Sequence, residues 1–238
     1  MLSELEKRLK ELANPEKAKL LQGYFKTGKG EYGEGDIFLG LVMGENRMLA
    51  REFRDMSLED IADLLKQDVH EKRMIGVLIL VDKFNRARKK GDSEVMKKVY
   101  DFYLKNARRV NNWDLVDLSA PHVVGGYLLD KKDRTVLYEL VKSDNLWERR
   151  ISILGTFSFI RVEDFDDCLK ISEMLLKDGH DLIHKAVGWM LREVGKKDVG
   201  VLEKFLKKHY HEMPRTMLRY SIEKFDENVR KRYLKGEV

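Results

Sequence analysis

The chain has 238 residues, of which 43% are hydrophobic and 37% charged, enough apolar material for a core without metal or disulfide staples. The longest apolar run, Ile75 to Val81, is too short to span a bilayer. A net charge of +5 and a pI near 9.0 permit a polyanionic partner without identifying one.

Only 3 prolines occur, and Leu, Lys, Glu and Met abound, which favours helix. The high charge content suits a fold with much surface for its volume, such as an elongated helical stack. The lone Cys168 excludes an internal disulfide and fits a reducing, cytosolic setting. The opening Met1 to Lys7 is charged at once and lacks a signal-peptide core. A cytoplasmic protein is therefore expected.

In chain order, Ser3 with Glu6 reads as a capping box for a first helix, and Leu2, Leu5, Leu9 and Leu12 repeat at helical spacing. Asn14-Pro15 reads as an N-cap followed by a first-turn proline, with a second helix running to about Phe25. A Gly-rich stretch follows, Thr27 to Asp36, which formally holds GxGxxG at Gly28, Gly30 and Gly33. A dinucleotide fingerprint needs a strand before it and a helix after it, and here a helix precedes it. A loop near a ligand is the better reading, in which Tyr24, Lys26, Lys29 and Tyr32 could grip a polyanion.

From about Asn46 the pattern is helix after helix, with Ser57 and Asp60 marking another capped start. Helices open in similar style at His70, Asn111, Asn145, His180 and Glu212, separated by 41, 34, 35 and 32 residues. Each is followed by an apolar stretch: Met74 to Val81, Trp113 to Val124, Ile151 to Phe159, Ala186 to Leu191 and Met217 to Ile222. Amphipathic helices such as Val95 to Tyr103 and Val136 to Val141 lie between them. One helix pair cannot bury its apolar face, so pairs stack. The spacing predicts an all-α, right-handed α-solenoid of HEAT-like helix pairs. No break is long or rich in Ser and Pro, so residues 1–238 read as a single domain.

The second helix of each unit carries cations near its start: Lys72 and Arg73, Arg149 and Arg150, Lys185, then Arg215 with Arg219. Stacked repeats would align them along one edge or a concave face, where they could meet a phosphate backbone. A solvated charged surface explains them about equally well. All 3 tryptophans fall in successive repeats. Trp113 and Asp117 are four apart and share a helix face. Trp189 lies between Lys185 and Arg192. An Asp in mid-helix beside an indole is unusual, because Asp prefers a cap or solvent.

These residues carry a resemblance. Asn112-Trp113-Asp114-Leu115-Val116-Asp117, Trp147-Glu148-Arg149-Arg150, Lys185 to Glu193 and Pro214 to Tyr220 resemble, in order and spacing, the DNA alkylation-repair glycosylases of the HEAT-like-repeat (AlkD) type. Phe38-Leu39-Gly40 resembles the family's N-terminal loop. That loop usually continues into a Pro-containing segment with paired Arg, whereas here Leu41 to Arg47 has no Pro.

The resemblance implies a monomeric enzyme that hydrolyses the N-glycosidic bond of cationic N3- or N7-alkylated purines in duplex DNA. It implies a concave DNA-binding face, no deep base flipping, no membrane and no cofactor. Trp113 and Trp189 match the two active-site tryptophans, and Asp117 matches the catalytic aspartate. Arg150 best matches the active-site arginine, with Arg149 one register away. The cations Lys29, Lys72, Arg73, Arg149, Lys185, Arg192, Arg215 and Arg219 are the expected DNA contacts.

A cationic base is already a good leaving group, so the demand falls on the oxocarbenium-like sugar. A carboxylate beside it, π-faces around it and an arginine on the phosphate meet that demand. A non-catalytic DNA-binding relative and a HEAT-type protein scaffold are the competing readings. His180 with His184, and His209 with His211, lack the convergent third ligand of a zinc site. Ser119 and Ser152 lack a nucleophile elbow.

Overall fold

The computed structural model describes residues 1–238 and is all-α. No β-strand forms; one bridge pairs Ile37 with Val69. The chain divides into two compact units, Met1–Ser119 and Ala120–Val238.

The first unit contains α1 (Leu2–Leu12), α2 (Pro15–Tyr24), α3 (Met43–Glu52), α4 (Leu58–Leu65), α5 (His70–Lys90), α6 (Ser93–Lys105) and α7, which begins at Trp113 and ends at Ala120. Its centre is α5, where Met74, Ile75, Val77, Ile79 and Leu80 are all buried. A helix apolar around most of its circumference must be covered on several sides, and α3, α4 and α6 cover it. Asn14 caps α2 as expected, its side chain accepting from Lys17 N at 3.0 Å, and Ser57 caps α4 through Asp60 N at 3.1 Å.

The expected cap at Ser3 does not form. The amide of Leu5 already donates to Met1 O at 3.0 Å, so α1 starts a residue earlier and Ser3 has helical backbone, which an N-cap cannot have.

The second unit opens with a π-helical turn, Pro121–Gly125. It continues through α8 (Gly126–Leu128), α9 (Thr135–Leu140), α10 (Leu146–Gly155), α11 (Phe157–Arg161), α12 (Asp166–Met174), α13 (Asp181–Lys197), α14 (Val199–His209), α15 (Arg215–Ser221) and α16 (Glu227–Lys235). Here α13 is central. Ile183, Ala186, Val187, Met190, Leu191 and Val194 are buried at helical spacing, against α10, α14 and α15. Gly188 lets α15 approach, since a Cβ there would stand 2.6 Å from Met217 O.

At two further expected boundaries a proline is responsible for the shift. The helix expected over 113–124 is interrupted at Pro121, which has no N–H for the α-helical ladder. The π turn accommodates it, and Pro121 O accepts from Ser158 Oγ at 2.6 Å. The last repeat helix starts at Arg215, not Glu212, because the residue before Pro214 is steered away from helical backbone. Asn145 and His180 cap α10 and α13 through their side chains.

Candidate active site and nucleic-acid interface

In the first unit, α7 sets Trp113 and Asp117 four residues apart, both half-buried. Asn112 starts that helix. Its Oδ1 accepts from Trp113 N at 2.8 Å, and its Nδ2 donates to Asp36 at 3.0 Å. Behind the carboxylate of Asp117, the buried Tyr103 hydroxyl lies 2.8 Å from Ser119 Oγ. Burial first, opposed by the Ser119 hydrogen bond and aided by the negative charge of Asp117, pushes that phenol well above its usual range.

Trp113 rests on an aromatic column. Phe25 stacks on it with centroids 5.3 Å apart and planes 18° apart. Phe38 stacks on Phe25 at 4.9 Å, and His70 on Phe38 at 4.6 Å. Tyr24 meets the Trp113 indole edge-on at 6.0 Å. The column ends in a charge cluster. His70 Nε2 lies 2.9 Å from Asp114 Oδ2, and Arg73 pairs with Asp36 at 2.7 Å. Burial alone would lower the His70 pKa, but the charge of Asp114 and hydrogen bonds to Asp114 and Asp36 lift it to about 9. Burial would likewise raise Asp36, and His70, Arg73 and Asn112 hold it below the usual carboxylate range instead.

The neighbouring loop is fixed by Glu71. Its buried carboxylate accepts from Leu39 N at 3.0 Å, Gly40 N at 2.8 Å and Leu41 N at 3.2 Å. In the sequence, Phe25, Asp36 and Glu71 carry no site signal, Phe38 stands out only within Phe38-Leu39-Gly40, and His70 marks only a repeat start. They meet because a Gly-rich loop packs against the start of α5, a pairing that a sequence alone does not bring together.

Two glycine amides of the Gly-rich loop are already taken by its own carboxylates. Gly28 N donates to Glu31 and Gly30 N to Glu34, at 2.9 and 2.8 Å. Lys29 is exposed on it. On α5, Lys72 pairs with Glu6. Arg73, expected among the DNA contacts, is only 3% exposed and neutralised inside the unit by Asp36.

In the second unit, Trp189 is half-buried on α13. Its Nε1 donates to Glu193 at 3.1 Å, and its ring lies 5.8 Å from Phe157. Arg150 on α10 is 4% exposed and donates to Leu182 O at the start of α13. Arg149 pairs with Asp178 at 2.7 Å and donates to the carbonyls of Ser143 and Asp144. Lys185 pairs with Asp181 at 2.7 Å, and Arg192 with Glu223. Arg215 donates to Leu234 O, and Arg219 is exposed.

Trp113 and Asp117 thus lie on α7 of the first unit; Lys185, Trp189 and Arg192 lie on α13, and Arg215 and Arg219 on α15, of the second. Most of the expected cations already have local acid partners. No group of three or more His, Cys, Asp or Glu is placed to hold a metal ion. His180 caps α13 through Leu182 N, and His184 Nε2 bonds to Asp178 O. No helix is long and apolar enough to cross a membrane.

A family model described as DNA alkylation repair enzyme matches residues 5–225. The chain belongs to the DNA alkylation repair enzyme family. Among solved structures, it is similar to the predicted DNA alkylation repair enzyme from Enterococcus faecalis, with a TM-score of 0.69 at 17% identity. The likeness covers 90% of this chain and 97% of that one, and at this identity it shows a shared fold. A search of curated proteins gave no match. Membership of this family implies DNA as the partner.

Proposed function

We propose that this DNA alkylation repair protein is a DNA-alkylpurine N-glycosylase. It hydrolyses the N-glycosidic bond of cationic N3- or N7-alkylated purines in duplex DNA, without deep base flipping, as the first step of base excision repair. The observation that carries this reading is α7, where an indole and a carboxylate share a partly open helix face in a member of a repair-enzyme family.

The chemistry follows from charge. The alkylated base departs with the electron pair of the C1′–N bond and becomes neutral. The positive charge that remains is on the sugar. The Asp117 carboxylate stabilises that charge and orients the water that adds to C1′. The Trp113 π-face attracts the same charge, and the stack under it keeps the indole from turning away. The family resemblance gives Trp189 the second aromatic role and Arg150 the phosphate contact.

The burial of Arg150 against Leu182 O favours a second reading, in which the protein binds DNA without cutting it. Under the first reading, a monomer working on duplex DNA in the cytosol is sufficient. Lesion scope tests the proposal. Duplexes carrying 7-methylguanine or 3-methyladenine should release free base on incubation, and a duplex carrying uracil should not. Tight binding of the methylated duplexes with no release would favour the non-catalytic reading.

A further inference from the structure

Capping α7 needs only one side-chain oxygen. Asn112 Oδ1 supplies it by accepting from Trp113 N at 2.8 Å. The other end of the same amide makes a contact that a cap does not require. Its Nδ2 donates to Asp36 Oδ2 at 3.0 Å, across 76 residues of chain. Both partners are buried, Asn112 completely. Asp36 closes the Gly-rich stretch.

The same carboxylate has two further partners. His70 Nδ1 stands 3.5 Å from Oδ2, and Arg73 pairs with Oδ1 at 2.7 Å. His70 then reaches Asp114 through Nε2. Asn112, Asp36, His70 and Asp114 therefore form a ring of contacts. It starts at the cap of α7 and ends in its first turn, with Trp113 between the two ends. A buried ionic cluster is a weak source of stability, because desolvation offsets the attraction; what it can supply is a single geometry. Any rotation of α7 about its axis breaks the ring, whereas apolar packing alone tolerates small rotations.

We infer that Asp36 is a positioning residue for the Trp113–Asp117 pair: through Asn112 on one side and His70 on the other, it sets the roll of α7 and with it the direction of the indole and the carboxylate. The kinetic consequence rests on the glycosylase reading; the structural one rests on the contacts alone. With side chains reaching about 6 Å from a helix axis, a roll of about 10° moves them by about 1 Å, and a misplacement of about 1 Å can cost about 10²-fold in rate. The Gly-rich stretch thereby acts on the site through its last side chain, while two of its amides are taken by its own carboxylates.

Asp36→Ala would strip Arg73 of its partner and confound the test with unfolding. Asn112→Ser leaves that ion pair whole and still caps the helix, but it is too short to reach Asp36. The full chain is then measured in two ways. The first, without DNA, is the near-ultraviolet circular dichroism of Trp113, isolated by difference against a Trp113→Phe background. The second is single-turnover release of 7-methylguanine at saturating duplex, where unfolded protein lowers the amplitude and misplacement lowers the rate constant. Asn112→Ser should lose most of the Trp113 signal and about 10²-fold in rate constant, with duplex affinity unchanged. Asn112→Thr, which also caps and fills more of the buried space, should repeat both losses. Ile79→Val, a core change in α5, should alter neither. An unchanged Trp113 spectrum in the Asn112 variants would overturn the inference, and so would an unchanged rate constant beside wild-type release. Absence of release by the wild type would count against the glycosylase reading alone, and the spectrum would still decide whether Asp36 orients Trp113.

Discussion

His70 Nε2 stands 2.9 Å from Oδ2 of Asp114, the residue that follows Trp113 in α7. The ion pair ties the first turn of α5 to the first turn of α7. It therefore holds the helix that carries the indole and the carboxylate, although neither partner belongs to that pair of side chains.

This contact makes stability depend on pH. The imidazole of His70 is raised from 6.5 to about 9 in the folded protein. A raised pKa means the folded state favours the proton, so the contribution is complete below pH 6.5 and is lost as pH climbs to about 9. The shift corresponds to roughly 3 kcal/mol for this buried group. Denaturant unfolding of the wild type should show stability falling across that window, and His70→Gln should flatten the fall. Equal slopes in the two proteins would remove His70 as its cause.

Gly40 and Gly23 should respond to alanine in opposite directions. Gly40 has a φ of +90°, and a Cβ there would lie 2.1 Å from Asn14 O. Gly40→Ala should destabilise by more than about 1 kcal/mol through backbone strain alone, and it should loosen the loop held by Glu71. Gly23, in α2, has open space around it. Gly23→Ala should stabilise by about 0.5–1 kcal/mol through helix propensity. Melting curves of the two variants check both signs.

Arg73 and Arg219 separate structural from DNA-facing cations. Arg73→Ala leaves the buried Asp36 without its guanidinium, a change that costs about 3–5 kcal/mol. Exposed Arg219, if it meets a phosphate, should leave stability unchanged when replaced by Ala. It should instead reduce the salt dependence of DNA binding by about one unit of slope. Thermal melts paired with binding isotherms at several salt concentrations distinguish the two. An unchanged slope would take Arg219 off the interface.

Much of the helical order was readable in the sequence because the apolar residues recur at helical spacing and the caps at Asn14, Ser57, Asn145 and His180 have their ordinary side chains. The prolines at 121 and 214 displaced boundaries, since periodicity continues through a proline that the backbone cannot ignore. The Trp113–Asp117 pair was visible because four residues make one helical turn. The column of Phe25, Phe38 and His70 was not, because its members come from a loop and two helices distant in sequence. Nor could charge type show that Arg73 is buried and Arg219 exposed. A cation at a helix start looks the same in sequence whether its partner is a buried Asp36 or a phosphate.

The most direct test of the central claim is single-turnover release of 7-methylguanine from a defined duplex by wild type and by Asp117→Asn, at matched DNA occupancy. The account predicts release by the wild type and a fall of about 10²–10³-fold in the variant, the scale for losing a preorganised electrostatic group, with binding retained. Release at the wild-type rate by Asp117→Asn, or no release by either protein at full occupancy, would contradict it.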